Sequence, residues 1–267
     1  MQLFGREELS QFEINGYLVV RELLSAAEVE LLGSVSRREE EFRADQISRA
    51  DGEGGSVDLV VKNDLPEGTI HAAVVRSERI VRRMEQLLDD EVYHYHHKMI
   101  LKEPRVGGAW AWHQDYGYWY HNGCLFPRMG SCMVAVDRAT QENGCLQVLA
   151  GSHSMGRVEH TQVGEQTGAD PERVEVAVNT FRRDYVELDP GDAVFFHCNL
   201  MHRSDQNSSE DPRWAFICCY NAKSNDPYKE SHHPRYSFLD VWPDSCISEV
   251  GQRHWERINQ QGDEVTS

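Results

Sequence analysis

The chain has 267 residues, 40% hydrophobic and 27% charged, which is enough apolar content to bury a core. Its formal charge of −17 repels phosphate backbones and anionic lipid surfaces, so neither nucleic acid nor membrane is an expected partner. No run of about 18 apolar residues occurs, and MQLFGREELSQFE lacks a basic segment leading into an apolar one, which predicts a cytoplasmic chain.

Residues 7–41 read as helical with one interruption. Gly16 breaks a first short helix and Tyr17-Leu18-Val19-Val20 reads as a strand. Ser25 with Glu28 forms a capping box ahead of Val29, Leu31 and Leu32, so a helix is predicted to start there. DGEGG and DLPEG predict a mobile loop within 44–75, and a further helix is predicted over 77–89.

From about residue 92 short runs rich in Val, Ile, Phe, Tyr and Trp alternate with turn residues, at 92–101, 131–137, 145–149, 185–188, 193–197 and 214–220. That spacing predicts a mainly β jelly roll flanked by helices from the amino-terminal third. Pro227, Pro234 and Pro243 predict an irregular tail over 221–267. The expected organisation is one domain over 1–267, with 1–91 mainly helical, 92–220 the jelly-roll core and 221–267 the tail. The seven cysteines are an odd number without a CxxC pair, and read as buried reduced thiols.

Trp112-His113-Gln114-Asp115-Tyr116 carries the chemistry. A His and an Asp two residues apart on an extended strand share a face, and one remote His would complete two imidazoles and a carboxylate around a metal. Residues 188–206, LDPGDAVFFHCNLMHRSDQ, supply His197 and His202. His202 is preferred because Ser204 follows two residues on and Arg213 eleven residues on, at the start of an apolar strand. An antiparallel return would bring Arg213 back beside the metal, where a guanidinium can grip a carboxylate with two hydrogen bonds.

These residues resemble the phytanoyl-CoA dioxygenase family, including its ectoine-hydroxylase branch. The resemblance runs from about Phe12 to Ala222 and rests on FEINGYLVVRELLSAAEV, WHQDYGYW, ENGCLQVLAGSH, DPGDAVFFHCNLMHRSDQN and Arg213, in the family's order. It implies a double-stranded β-helix and an Fe(II)-dependent oxygenase that consumes 2-oxoglutarate and O2, with hydroxylation of a C–H bond and release of succinate and CO2. By the family pattern His113, Asp115 and His202 match the iron ligands, and Arg213 with Ser204 match the site of the 2-oxoglutarate carboxylate. His96 stands where the ectoine-hydroxylase branch has a cosubstrate-contacting Gln, seventeen residues before the first ligand, and Ser131 stands where another polar neighbour is expected. Asp115 argues against halogenation, since a halogenating relative carries a small residue there.

Trp112, Tyr116 and Trp119 are the aromatic residues expected to touch substrate, with about half of the 110–120 aromatic set packing in the core. His94 and His96 are expected to share one strand face and His97 the other. The stretches 44–75 and 158–180 and the tail are the expected pocket walls. With Asp58, Lys62, Asn63, Arg157 and His160 among them they suit a small, uncharged-to-cationic metabolite, bound by a monomer or homodimer. Two other outcomes stay open: a cupin-like metal protein that does not oxidise, and the same cofactors serving desaturation or epimerisation.

Overall fold

The computed structural model describes residues 3–51, 55–163 and 166–265. The amino-terminal third runs α1 Arg6–Asn15, β1 Tyr17–Val20, α2 Ala26–Arg38, α3 Glu40–Arg43, β2 Gln46–Ala50, β3 Ser56–Lys62, α4 Ile70–Arg76 and α5 Glu78–Leu88. There follow β4 Val92–Lys102, β5 Trp110–His113, α6 Asp115–Trp119, β6 Met129–Ala135, β7 Leu146–Ala150, β8 His160–Val163, β9 Gln166–Ala169 and α7 Pro171–Thr180. The chain closes with β10 Arg182–Val186, β11 Ala193–His197, β12 His202–Ser204, β13 Arg213–Ala222 and α8 Cys246–Val265.

The strands form a seven-stranded sheet, β1-β11-β6-β13-β4-β3-β2, which faces a four-stranded sheet, β10-β7-β12-β5, and β8 and β9 make a separate hairpin. Every ladder between these strands is antiparallel. The central strands of the large sheet are buried on both faces. Phe195, Phe216 and Cys218 look out toward α2, α4 and α5, while Phe196, Ile217 and Cys219 look in toward the small sheet. This double burial explains why AVFFH and RWAFICCY read as continuous apolar runs instead of alternating ones. The architecture is the jelly roll expected from the strand spacing.

The predicted capping box is present: the Ser25 hydroxyl accepts from Glu28 N at 3.3 Å, and Glu28 Oε2 accepts from Ser25 N at 2.8 Å. Three expectations need correction. The stretch 44–75 is largely ordered secondary structure. β2 and β3 form a hairpin that extends the large sheet past β4, Thr69 caps α4, and residues 52–54 of DGEGG lie outside the described residues. Ser-Val-Asp-Leu-Val-Val-Lys is a strand because Val57, Leu59 and Val60 are buried by it. The stretch 158–180 likewise carries β8, β9 and α7. The tail is irregular only as far as Ser245. Pro243 precedes the start of α8, where it does not interrupt the helix ladder, and Ile247, Val250 and Ile258 of α8 are buried. No helix among the described residues is long and apolar enough to cross a membrane.

Candidate metal and cosubstrate site

His113 ends β5 and His202 opens β12, and the two are direct register partners across the ladder, with ring centroids 4.0 Å apart. Asp115 is not on the strand, contrary to the expected geometry. Gln114 keeps extended dihedrals and Asp115 then begins α6, which still delivers the carboxylate beside both rings. One ligand atom from each of His113, Asp115 and His202 lies within 4.8 Å of the others, and all three residues are buried.

Each imidazole is fixed in one tautomer. His113 Nδ1 lies 2.8 Å from Ala111 O and His202 Nδ1 lies 2.8 Å from Leu200 O. A carbonyl can only accept, so Nδ1 carries the proton in both rings and Nε2 presents a lone pair. Burial lowers the pKa of both rings, so they are neutral at neutral pH. This donor set, two neutral imidazoles and a carboxylate on one face, fits a divalent iron with positions left for other ligands.

The turn between the ligands is bolted down by Gln114 and His160. Gln114 Nε2 donates to Gly156 O at 2.9 Å and Asn199 O at 2.7 Å, and its Oε1 accepts from Val158 N at 2.7 Å. Gln114 N donates to His160 Nε2 at 3.1 Å, while His160 Nδ1 donates to Val158 O at 3.0 Å. Gly117 admits this ring, because a Cβ there would collide with the His160 imidazole.

Beside His113 and His202 a second cavity runs between the sheets to Arg213, with Lys98, Lys102 and Ser204 among its walls. Arg213 is buried and faces Lys102 across the β13–β4 ladder. Its Nη2 donates to Gly144 O at 2.8 Å, and its Nε has no partner. Lys102 Nζ donates to Ser204 Oγ at 3.0 Å and to Asp205 O. Among the described residues neither cation has a carboxylate within ion-pair distance. Burial accordingly lowers Arg213 to about 10 and pushes Lys102 well below its ordinary value, where the nearby Arg213 charge adds to the effect. Two buried cations without an anion define a pocket suited to a carboxylate ligand.

The remaining expected residues fall in different places. Ser131 does not reach the Arg213 cavity; its hydroxyl donates to Asp115 Oδ2 at 3.1 Å. His96 borders a larger cavity of about 560 Å³ with Trp119, Tyr118 and Asp115, which shares His113, Lys98 and Trp110 with the Arg213 cavity. Trp112 turns away and packs with Leu149, Ala177 and Met201, with the Arg203 guanidinium 5.7 Å from its ring. Tyr116 is a core residue whose hydroxyl donates to Cys124 O at 3.0 Å. Trp119 alone of the three expected aromatics lines the cavity. His197 lies outside the ligand cluster, its Nδ1 accepting from Asn199 N at 3.0 Å. A β-bulge in β4 leaves Tyr95 unpaired, so His94 and His97 share the outer face, Nε2 to Nδ1 3.2 Å, and His96 faces inward. Lys98, 3.8 Å from Asp115 Oδ1, and Lys102 were not singled out from the sequence. Their signal was the alternation His96, Lys98, Ile100, Lys102 along one strand.

Glu39, His71 and His254 also bring ligand atoms within 4.8 Å. There, however, His254 Nδ1 accepts from Ile70 N at 3.1 Å, so its Nε2 carries a proton and donates to Glu39 at 2.6 Å. That ring has no lone pair to offer a metal.

The family model of phytanoyl-CoA dioxygenase (PhyH) matches residues 12–215, and the chain belongs to that family of enzymes. The chain is 33% identical over 184 residues to L-proline trans-4-hydroxylase of Streptomyces griseoviridis, covering 63% of this chain and 68% of that one. It is 28% identical over 238 residues to ectoine dioxygenase of Sphingopyxis alaskensis, covering 82% and 76% respectively. The crystal structure of EctD from S. alaskensis in its apoform superposes with a TM-score of 0.78 at 25% identity, covering 90% of this chain and 88% of that one. The carbocyclase SnoK from nogalamycin biosynthesis shares the fold at a TM-score of 0.68 and 20% identity, covering 88% and 97%.

Proposed function

We propose that the chain is an Fe(II)- and 2-oxoglutarate-dependent dioxygenase that hydroxylates a C–H bond of a small metabolite. The observation that carries this reading is the pairing of two centres. Two tautomer-locked imidazoles and Asp115 converge on one point, and the next cavity ends at buried cations that lack an anion. Iron with bound 2-oxoglutarate and O2 supplies oxidative decarboxylation, which yields succinate and CO2 and oxidises the substrate.

In this reading His113, Asp115 and His202 hold the iron, with Ser131 fixing Asp115 by a hydrogen bond. Arg213 grips the distal carboxylate of 2-oxoglutarate, and Ser204 and Lys102 stand beside it. The apolar walls around them, including Met133, Phe196 and Ile217, exclude water and strengthen those charge-assisted bonds. The larger cavity, lined by His113 and Asp115, takes the substrate and positions one C–H bond toward the metal, the protein's main contribution to such chemistry. A cupin-like protein that only bound metal would have no use for Arg213, and Asp115 occupies the position that a halogenating site leaves open.

The test is turnover under 18O-labelled O2 against a panel containing L-proline and ectoine. The reading expects succinate release matched to product, with label in both. Product formed without label at unchanged carbon skeleton would keep the cofactors and replace hydroxylation by epimerisation or desaturation. Metal binding without any 2-oxoglutarate consumption would overturn the reading.

A further inference from the structure

The substrate-side cavity has a charge pattern opposite to the chain's composition. In a protein with a formal charge of −17, the described residues lining this cavity include a single carboxylate, Asp115, which belongs to the His113–Asp115–His202 cluster. Lys98 lies 3.8 Å from that carboxylate and balances it, which leaves Arg49 as the cation on this wall without an ion pair among the described residues. The His96 and His233 imidazoles on the wall add no charge at neutral pH, since desolvation holds His96 far below its ordinary value and His233 at about 4. A substrate ammonium would find no acidic side chain here beyond the already paired Asp115, and an anionic group would find Arg49.

Arg49 is the cation placed to meet that group. It sits on the edge strand β2, where Ile47 and Arg49, with Leu59 and Val61 of β3, form one wall of the cavity. Its guanidinium carbon lies 5.8 Å from the centroid of the Trp110 ring, and that ring lies 5.7 Å from His113. Two successive ring contacts therefore link Arg49 to a metal ligand, a gap that a molecule of amino-acid size spans. Arg49 makes no ion pair among the described residues. Trp110, Tyr118 and Trp119 supply apolar faces for the body of a ligand, and the buried Nδ1 of His96 on the same wall has no hydrogen-bond partner.

Building on the proposed dioxygenase function, we propose that this cavity selects a small substrate bearing a carboxylate, read by Arg49 at the mouth while the aromatic wall orients the body toward His113 and His202. This replaces the uncharged-to-cationic substrate expected from the sequence. Of the polar residues weighed there, Asn63 and His160 line the cavity, while the charged ones, Asp58, Lys62 and Arg157, do not. Asp58 is within reach of Gln46 and Ser56, and Arg157 pairs with Glu159.

The experiment uses the full chain loaded with Fe(II) and 2-oxoglutarate without oxygen, and reads ligand binding as a perturbation of the visible charge-transfer band. The probes are matched sets: L-proline, L-prolinamide and pyrrolidine, then the other proteinogenic amino acids with their amides and decarboxylated amines. The expected binders are acids, each roughly tenfold or more tighter than its amide. Arg49→Glu should weaken them about ten- to a hundredfold and Arg49→Lys much less, with 2-oxoglutarate affinity unchanged in both, which also shows that the variants fold. Equal binding of amides or amines, no acid bound at millimolar concentration, or an Arg49→Glu variant with unaltered acid affinity would each overturn the inference. Failure of the band itself to form in wild-type protein would instead overturn the cofactor reading beneath it.

Discussion

His113 and His202 face each other across the β5–β12 ladder, and each gives its Nδ1 proton to the carbonyl two residues earlier. The same local bond, made twice from opposite strands, aims both Nε2 lone pairs at one point before any metal arrives. The proposed metal site is therefore built mainly by backbone register, and substitutions there should act on metal retention rather than on folding.

His202→Ala should leave thermal unfolding of the metal-free protein nearly unchanged while iron content falls to a small fraction of wild type. His160→Ala, which frees the Gln114 amide between the two ligands, should weaken iron by about ten- to a hundredfold, the usual scale for outer residues that orient ligands. Gly117→Ala should act in the same direction by displacing the His160 ring. Metal titration followed by competition with a chelator measures all three, and unaltered affinity in His160→Ala would remove the positioning role.

Arg213→Lys keeps a charge but not the planar two-pronged donor, and should weaken 2-oxoglutarate by about tenfold or more. Lys102→Met should also weaken it, while relieving the crowding of two buried cations in the empty protein. The combination expected for Lys102→Met is thus a more urea-resistant metal-free protein with poorer cosubstrate binding. A loss in both would mean that Lys102 is needed for the fold alone.

Stability should decline in mild acid. His71, His94 and His97 are buried between the large sheet and the helices, and burial pulls all three below the ordinary 6.5, His97 to about 3. The folded state excludes protons that the unfolded chain takes up as pH falls through 6.5. The stability is therefore intact above that value and drains away between 6.5 and about 3, by about 1.4 kcal/mol per pH unit for each excluded proton. Urea unfolding at about pH 7 and about pH 5 should show the drop, and His97→Gln should make it shallower. His113 and His202 contribute equally to both proteins, so the difference isolates His97.

Glu39→Ala tests the remaining histidine–carboxylate group. It leaves the fully buried His254 without an acceptor for its Nε2 proton, at a cost of about 1–3 kcal/mol. Iron and 2-oxoglutarate binding should not change, because this group lies on the helical side of the sheet, away from the Arg213 cavity.

The jelly roll was legible because strands buried on both faces leave dense apolar runs, and the cluster proposed to hold iron could be picked out because His202 comes with Ser204 and Arg213 at fixed spacing. What the sequence concealed traces largely to two β-bulges. One, between the His202–His113 and Ser204–Trp110 pairs, puts an extra residue in β5 and turns Trp110 to the cavity face, while Trp112, next to His113, points away by plain alternation. The other, at Tyr95, moves His94 to the face of His97. Strict alternation assigns every residue beyond a bulge to the wrong face, and no residue type marks where a bulge falls. The β2–β3 hairpin was missed because glycines at its tip dominated the reading, and with it went Arg49, which acquires a role only once β2 is seen to edge the large sheet.

The most direct measurement is an anaerobic titration of the iron(II)-loaded protein with 2-oxoglutarate, following the weak visible metal-to-ligand charge-transfer band, beside an Arg213→Ala control. A saturable band in the wild type that weakens sharply in the variant is the predicted result. Protein shown to hold iron that develops no band, or a band indifferent to Arg213, would contradict the dioxygenase account and leave a metal protein that does not use this cosubstrate.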